Sequence, residues 1–257
     1  MSGGVGYVCK RQGLYRVVEC PIVGGAAAHS FNYFSLRETY QYFGGRLLAR
    51  AAVAVAISGD FQIEIGVCHG CSPVGVEFEV TRAEGNILYE LGGRRASDVW
   101  EEICGSIADK TNQSSALAIG VPLQGVSGAL DYQVRAGYFI DTESGGVTLG
   151  PSIATGTHIM LHHRTTEDVV EGARQMGRDM VARIGSRRVC ALLGFECGAR
   201  TLPFLGAEGT LKENQELQSL FDESVPWLGM MPWGEIIPMG GPPTFHNYSY
   251  PLLAIVE

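Results

Sequence analysis

The chain has 257 residues, 46% of them apolar and 18% charged, with a formal net charge of −8. That is ample for a packed core and excludes a disordered chain. The acidic balance, with no run of Lys or Arg, argues against nucleic acid and anionic membranes as partners.

Other broad classes fall in the same way. The apolar stretch over residues 47–57 is broken by Arg50 and is too short to span a bilayer. The N-terminus lacks an apolar signal core, so a cytoplasmic location is expected. Seven cysteines at irregular spacing fit reduced thiols better than a disulfide framework, and nothing implies a cofactor.

In chain order, the opening Ser2-Gly3-Gly4-Val5-Gly6 has no following Gly-Lys-Ser/Thr, so it reads as a floppy terminus and not a phosphate loop. Short apolar or alternating runs predict strands over residues 51–57, 61–67, 74–80, 87–91, 132–140, 158–161, 189–195 and 247–256. Three helices are readable between them. Ser97 or Asp98 caps the first, which carries Val99, Ile103 and Ile107. Thr165 opens the second, where Val169, Ala173, Met176, Met180 and Ile184 recur at helical spacing. The third is expected to start at Thr210, with Glu213 completing a capping box and Leu217, Leu220 and Phe221 buried. The 35 glycines supply the turns.

These elements predict an α/β (α+β) fold of two related halves. Each half is a mostly antiparallel or mixed sheet flanked by helices, a layered αββα arrangement being one form of it. The expected division is 1–95 and 96–257. A weak internal repeat supports the idea. Pro21-Ile22-Val23-Gly24-Gly25 parallels Pro226-Trp227-Leu228-Gly229-Met230, and residues 51–57 parallel 252–256. Ser30 stands where the second copy has Glu235. Two unrelated glycine turns before strands would look the same.

The C-terminal sixty residues concentrate the chemically able groups: Cys197, Arg200, Trp233, Glu235, His246 and Asn247. Glu235 is set in apolar sequence, where a carboxylate is costly unless it pairs or binds something. Arg200, His246 and Asn247 are the candidates to satisfy it.

Cys197-Gly198-Ala199-Arg200, Trp233-Gly234-Glu235-Ile236 and Phe245-His246-Asn247-Tyr248, followed by an apolar strand, resemble the C-terminal part of the FIST domain. Upstream, Gly70-Cys71-Ser72-Pro73-Val74-Gly75 and Gly85-Asn86-Ile87-Leu88-Tyr89-Glu90-Leu91 resemble the end of its N-terminal part. The strand pair around Asp141-Thr142-Glu143-Ser144-Gly145 fits the start of the C-terminal part. The resemblance runs from Pro21 to the end.

It implies a cytosolic sensory module of signal-transduction and F-box proteins that binds small ligands, amino acids among them, with no established catalytic activity. Family members carry a longer segment before the Pro-Ile-Val-Gly-like turn, so a shortened N-terminal half or a fragment is expected. With no kinase, cyclase, methyl-accepting or F-box segment attached, output would pass through a signalling partner protein. A homodimer is compatible with this reading.

The expected ligand site comprises Arg200, Glu235, His246, Asn247, Cys197, Trp233 and Cys71. In it Arg200 grips a carboxylate and Glu235 an amine; a buried Arg–Glu pair holding the last strand is the plainer alternative. His246 and Asn247 either bond the ligand or serve turn chemistry. Cys68-His69-Gly70-Cys71 lacks a second ligand pair for zinc, leaving Cys71 as a pocket wall or a packed thiol. Two further readings stay open: a cysteine hydrolase built on Cys197, His246 and Glu235, and a ligand-free interaction scaffold.

Overall fold

The structure is a computed structural model and describes residues 18, 20–27, 38–107, 117–123, 132–239 and 242–257. Its first elements are β1 (Gly24–Gly25), the hairpin β2 (Tyr40–Phe43) and β3 (Arg46–Ala49), and β4 (Gln62–Cys68). The Ser2–Gly6 terminus and Ser30 lie outside the described residues.

A barrel follows. It is made of β5 (Cys71–Glu84), β6 (Ile87–Leu91), β8 (Leu117–Pro122), β9 (Tyr132–Asp141), β10 (Gly146–Leu149) and β11 (His158–Arg164). The order is β10-β9-β8-β11-β5-β6, and β10 closes onto β6 with Val147 opposite Leu88. The short β7 (Arg94–Arg95) extends β6 and leads into α1 (Ala96–Ile107). β5 to β7 precede residue 96 and β8 to β11 follow it, so both stretches of chain build the barrel.

Alternate residues point inward, as the period of a strand requires. Val80, Leu88, Leu91, Leu117, Ile119, Leu149, Ile159 and Leu161 fill the interior, and α1 adds Val99 and Trp100. Gly137 makes room for this helix, since a Cβ there would stand 2.8 Å from the Trp100 ring. A register shift in β11 between Met160 and His162 bends that strand as a bulge does.

The second layer uses α2 (Thr166–Ile184), β12 (Val189–Phe195), α3 (Gly206–Gln218), β13 (Trp227–Met230) and β16 (Tyr250–Val256). The four-stranded sheet runs β13-β12-β16-β4, with β12 and β13 parallel and the other pairs antiparallel. Thr165 caps α2 by accepting from the Asp168 amide. The predicted stripe Val169, Ala173, Met176, Met180 and Ile184 is buried. With Leu192, Leu217, Leu252, Ala254 and Val256, most of it forms a core over the sheet. Each fully buried leucine there contributes roughly 1.5–3 kcal/mol of transfer free energy.

A third small sheet joins the layers: β14 (Glu235–Pro238) between β1 and β15 (Pro243–His246).

The structure thus carries the mixed α+β fold, with four differences of element. Residues 51–57 enter no strand pairing, and 247–249 precede β16 instead of belonging to it. α3 starts at Gly206, after a π-helical turn Thr201–Leu205, and not at Thr210. The Thr210 hydroxyl bonds back to the Gly206 carbonyl. Glu213 turns to Arg200, so the capping-box pattern is answered by a tertiary ion pair. α1 begins at Ala96, which puts Ser97 and Asp98 inside its first turn.

Candidate functional site

The residues singled out in the sequence meet at the seam between the barrel and the four-stranded sheet. Cys71, Ala118, Val134 and Ala136 from the barrel pack against Cys197, Ala199 and Tyr248, with Trp233 alongside. Alanines on the barrel's outer face let the two layers approach closely. Arg200, Glu235, His246 and Asn247 are all at most 2% exposed.

Glu235 opens β14 beneath Gly234 and stands opposite His246 of β15 in register. Its carboxyl accepts from the Gly234 amide at 3.1 Å, the Ser249 amide at 3.2 Å and the Ser249 hydroxyl at 2.8 Å. The Cys197 thiol also hydrogen-bonds it. Among the described residues it has no ion-pair partner. Burial outweighs these donors and pushes its pKa up to about 8, so the acid is largely neutral at pH 7.

Arg200 does not reach Glu235. It forms an ion pair with Glu213, both side chains at zero exposure. It also donates to the carbonyls of His69 at 3.0 Å, Tyr248 at 2.9 Å and Val169 at 3.3 Å. The guanidinium fork therefore ties β4, α2, α3 and the 248 turn together.

Asn247 joins the layers. Its Oδ1 accepts from the Ala136 amide at 3.0 Å, and its Nδ2 donates to the Tyr138 hydroxyl at 2.7 Å. Its own amide donates to the Val134 carbonyl. The residue acts as a short extra strand on the edge of β9. Before it, His246 Nε2 lies 2.7 Å from the Thr244 hydroxyl.

The Cys197 thiol is 1% exposed, and its sulfur accepts from the Tyr248 amide at 3.3 Å. Burial, then the Glu235 charge, pushes its pKa well above the ordinary thiol value. A thiol held in this way is a donor to Glu235 and is poorly ionised.

Cys68-His69-Gly70-Cys71 is a tight turn between β4 and β5. The Cys71 amide donates to His69 Nδ1 at 2.9 Å, and burial pushes the Cys71 thiol up to about 11. Gly70 has φ +62, and a Cβ there would stand 2.4 Å from the Val169 Cα, which explains the glycine. Among the described residues no cluster of His, Cys, Asp or Glu could hold a metal ion.

Sequence reasoning missed two further parts of the seam. Arg164, at the end of β11, lies between the rings of Phe204 and Tyr248 at 3.8 and 3.7 Å and donates to the Ala199 carbonyl. The second part is an acid pair. Glu196 accepts from Asn214 at 3.0 Å, and Asn214 accepts from the Tyr250 hydroxyl. Burial, then the Glu213 charge, pushes the Glu196 pKa up to about 7. The only sequence signal for either was a charged residue beside an apolar strand, a weak one. A groove of about 580 Å³ lined by Ile184, Arg187, Cys190, Phe221 and Pro226 includes none of the seam residues.

Comparison with known proteins bears on this arrangement. Residues 11–94 match the FIST N domain and residues 96–238 the FIST C domain. An uncharacterised protein of Mycobacterium tuberculosis is 25% identical over 216 residues, covering 82% of this chain and 55% of that protein. One of Mycobacterium bovis is 25% identical over 217 residues, again covering 82% of this chain and 55% of that protein. One of Methanocaldococcus jannaschii is 33% identical over 85 residues, covering 32% of this chain and 16% of that protein. The chain spans about half the length of the mycobacterial relatives. No solved structure matches. Among the described residues no helix is long and apolar enough to cross a membrane.

Proposed function

From the premise that this chain belongs to the FIST domain family, whose members are put forward as sensory and signal-transduction domains, we propose that it is a cytoplasmic small-ligand sensor whose ligand enters the seam at Glu235. The observation that carries this is a carboxyl at zero exposure without a countercharge among the described residues, held only by Gly234, Ser249 and Cys197. A buried acid of this kind costs stability unless something else uses it.

An amine is the ligand class that suits it, and an amino acid supplies one. A cationic amine would lower the Glu235 pKa, so that the carboxyl releases its proton to solvent and pairs with the ammonium, while His246 and Asn247 offer further donors and acceptors beside it. Arg200 shapes the seam from behind through Glu213 and the carbonyls it binds. Entry requires the β14–β15 sheet to lift from the barrel. That movement would carry the signal to a partner protein, provided the ligand binds the opened state better than the closed one.

A thermal-shift screen against amino acids, amines and small carboxylates tests the reading. At about a hundred times its dissociation constant, a true ligand adds roughly 2.7 kcal/mol of stability. The expected result is an amine-bearing hit that Glu235→Gln abolishes. A flat screen on folded protein, or a hit indifferent to Glu235→Gln, overturns it.

A further inference from the structure

We propose that residues 51–57 pair with the same segment of a second copy of this chain, antiparallel about a twofold axis at Val55. The segment reads Ala-Ala-Val-Ala-Val-Ala-Ile, without a charge, and it enters no strand pairing among the described residues. Val53, Val55 and Ile57 are 39%, 82% and 53% exposed. The preceding β2–β3 hairpin leaves Tyr42, Phe43 and Leu47 exposed as well. An uncharged apolar strand left open is a template for another strand, and a contiguous exposed apolar surface marks an association site. In the sequence parallel between the two halves, this segment matches β16. β16 is a central strand, flanked by β12 and β4.

The ends of the segment select a second copy as the occupant. Arg50 precedes it and Asp60 follows it, five residues either side of Val55. Antiparallel pairing about Val55 therefore sets Arg50 against Asp60 of the partner subunit, and Asp60 against the partner's Arg50. Val53 then meets Ile57 of the partner subunit, and the two Val55 side chains meet at the axis. The Val53–Ile57 and Val55–Val55 pairs fall on one face, and the Arg50–Asp60 pairs lie at the two ends of the other, beside Ala52, Ala54 and Ala56. A slip of one residue loses both ion pairs and sets Val55 opposite an alanine. Arg50 now has a left-handed backbone, φ +52, and holds Glu38 at 2.9 Å, so the pairing requires it to extend; its side chain is 84% exposed.

Sedimentation analysis of the full chain across micromolar concentrations is the test, with Val55→Lys, Arg50→Asp, Asp60→Arg and the Arg50→Asp/Asp60→Arg double variant. The expected result is a dimer that Val55→Lys abolishes. Each single reversal should weaken it about tenfold, by setting like charges opposite each other, and the double reversal should restore it. Val55→Cys adds a second readout: it should cross-link into a covalent dimer on oxidation, whereas Val76→Cys, 44% exposed on β5, should not. Three results overturn the proposal: a monomer throughout, a dimer that tolerates Val55→Lys, or a double reversal no better than the singles.

Discussion

Arg200 is bound to Glu213 of α3, and neither side chain keeps any exposure to water. Glu235, the partner that the sequence suggested, sits on a different strand with Ser249 for company. This settles Arg200's structural work: it neutralises one buried acid and caps three carbonyls. The Glu213 charge holds its pKa above the ordinary arginine value despite burial.

Removing one member of that pair strands the other. Glu213→Gln should cost about 3–5 kcal/mol, because it leaves a buried guanidinium uncompensated. Arg200→Met should cost a comparable amount. The combined Arg200→Met/Glu213→Leu variant should be less damaging than the sum, with a coupling of about 0.5–3 kcal/mol in a urea-denaturation cycle. Additive losses would show that the two residues act independently.

What the sequence could and could not reveal follows from the range of the interactions. α2 was legible from its own residues, because a Thr cap and a five-residue apolar stripe are local signals. β4, β6, β9 and β12 were legible from their apolar runs. Glu213 was misread because Thr210-x-x-Glu213 satisfies a local rule while its partner, Arg200, lies thirteen residues away along the chain. Residues 51–57 carry a strand's pattern but pair with no strand among the described residues, and pattern alone cannot supply one. The seam residues were found because polar groups in apolar sequence stand out. Ser249, which holds Glu235, and Arg164, which stacks on Tyr248, are ordinary in sequence and become informative only through contact.

Asn247 should be the most position-sensitive residue of the seam. Asn247→Ala leaves the Ala136 amide and the Tyr138 hydroxyl without their partner and should cost about 1–3 kcal/mol. Asn247→Asp keeps the acceptor for Ala136 but buries a charge, so it should be worse at pH 8 than at pH 5. Hydrogen exchange at Ala136 reads this site directly. Unchanged protection in Asn247→Ala would refute the bridging role.

Cys197 should be chemically quiet. Its thiol is buried and held protonated, whereas Cys20 is exposed and Cys190 partly so. Alkylation at neutral pH should therefore label Cys20 and Cys190 first, with Cys197 reacting only at the rate of opening of the fold. Peptide mapping of a time course distinguishes the sites. Rapid labelling of Cys197 in the native protein would favour the hydrolase reading.

Two buried acids give the fold a defined pH profile. Burial raises Glu235 to about 8 and Glu196 to about 7, from an ordinary 4.5. Between pH 4.5 and these values the unfolded chain releases protons that the folded chain keeps. The unfolded state therefore gains on the folded one as pH rises, by up to about 1.4 kcal/mol per unit for each group. Stability from these groups is fully present below pH 4.5 and is lost as pH rises toward 8. His162 works in the opposite sense: burial lowers its pKa below 6.5, which weakens the fold as pH falls past that value. Glu64, held low by Arg187, adds stability above pH 4.5 that is lost in acid. With two raised acids against one histidine, the urea midpoint should fall from pH 5.5 to pH 8. Glu235→Gln and Glu196→Gln should each flatten that decline. A midpoint that rises over this interval, or a slope that neither variant changes, would mean that the two carboxyls are ionised inside the folded protein.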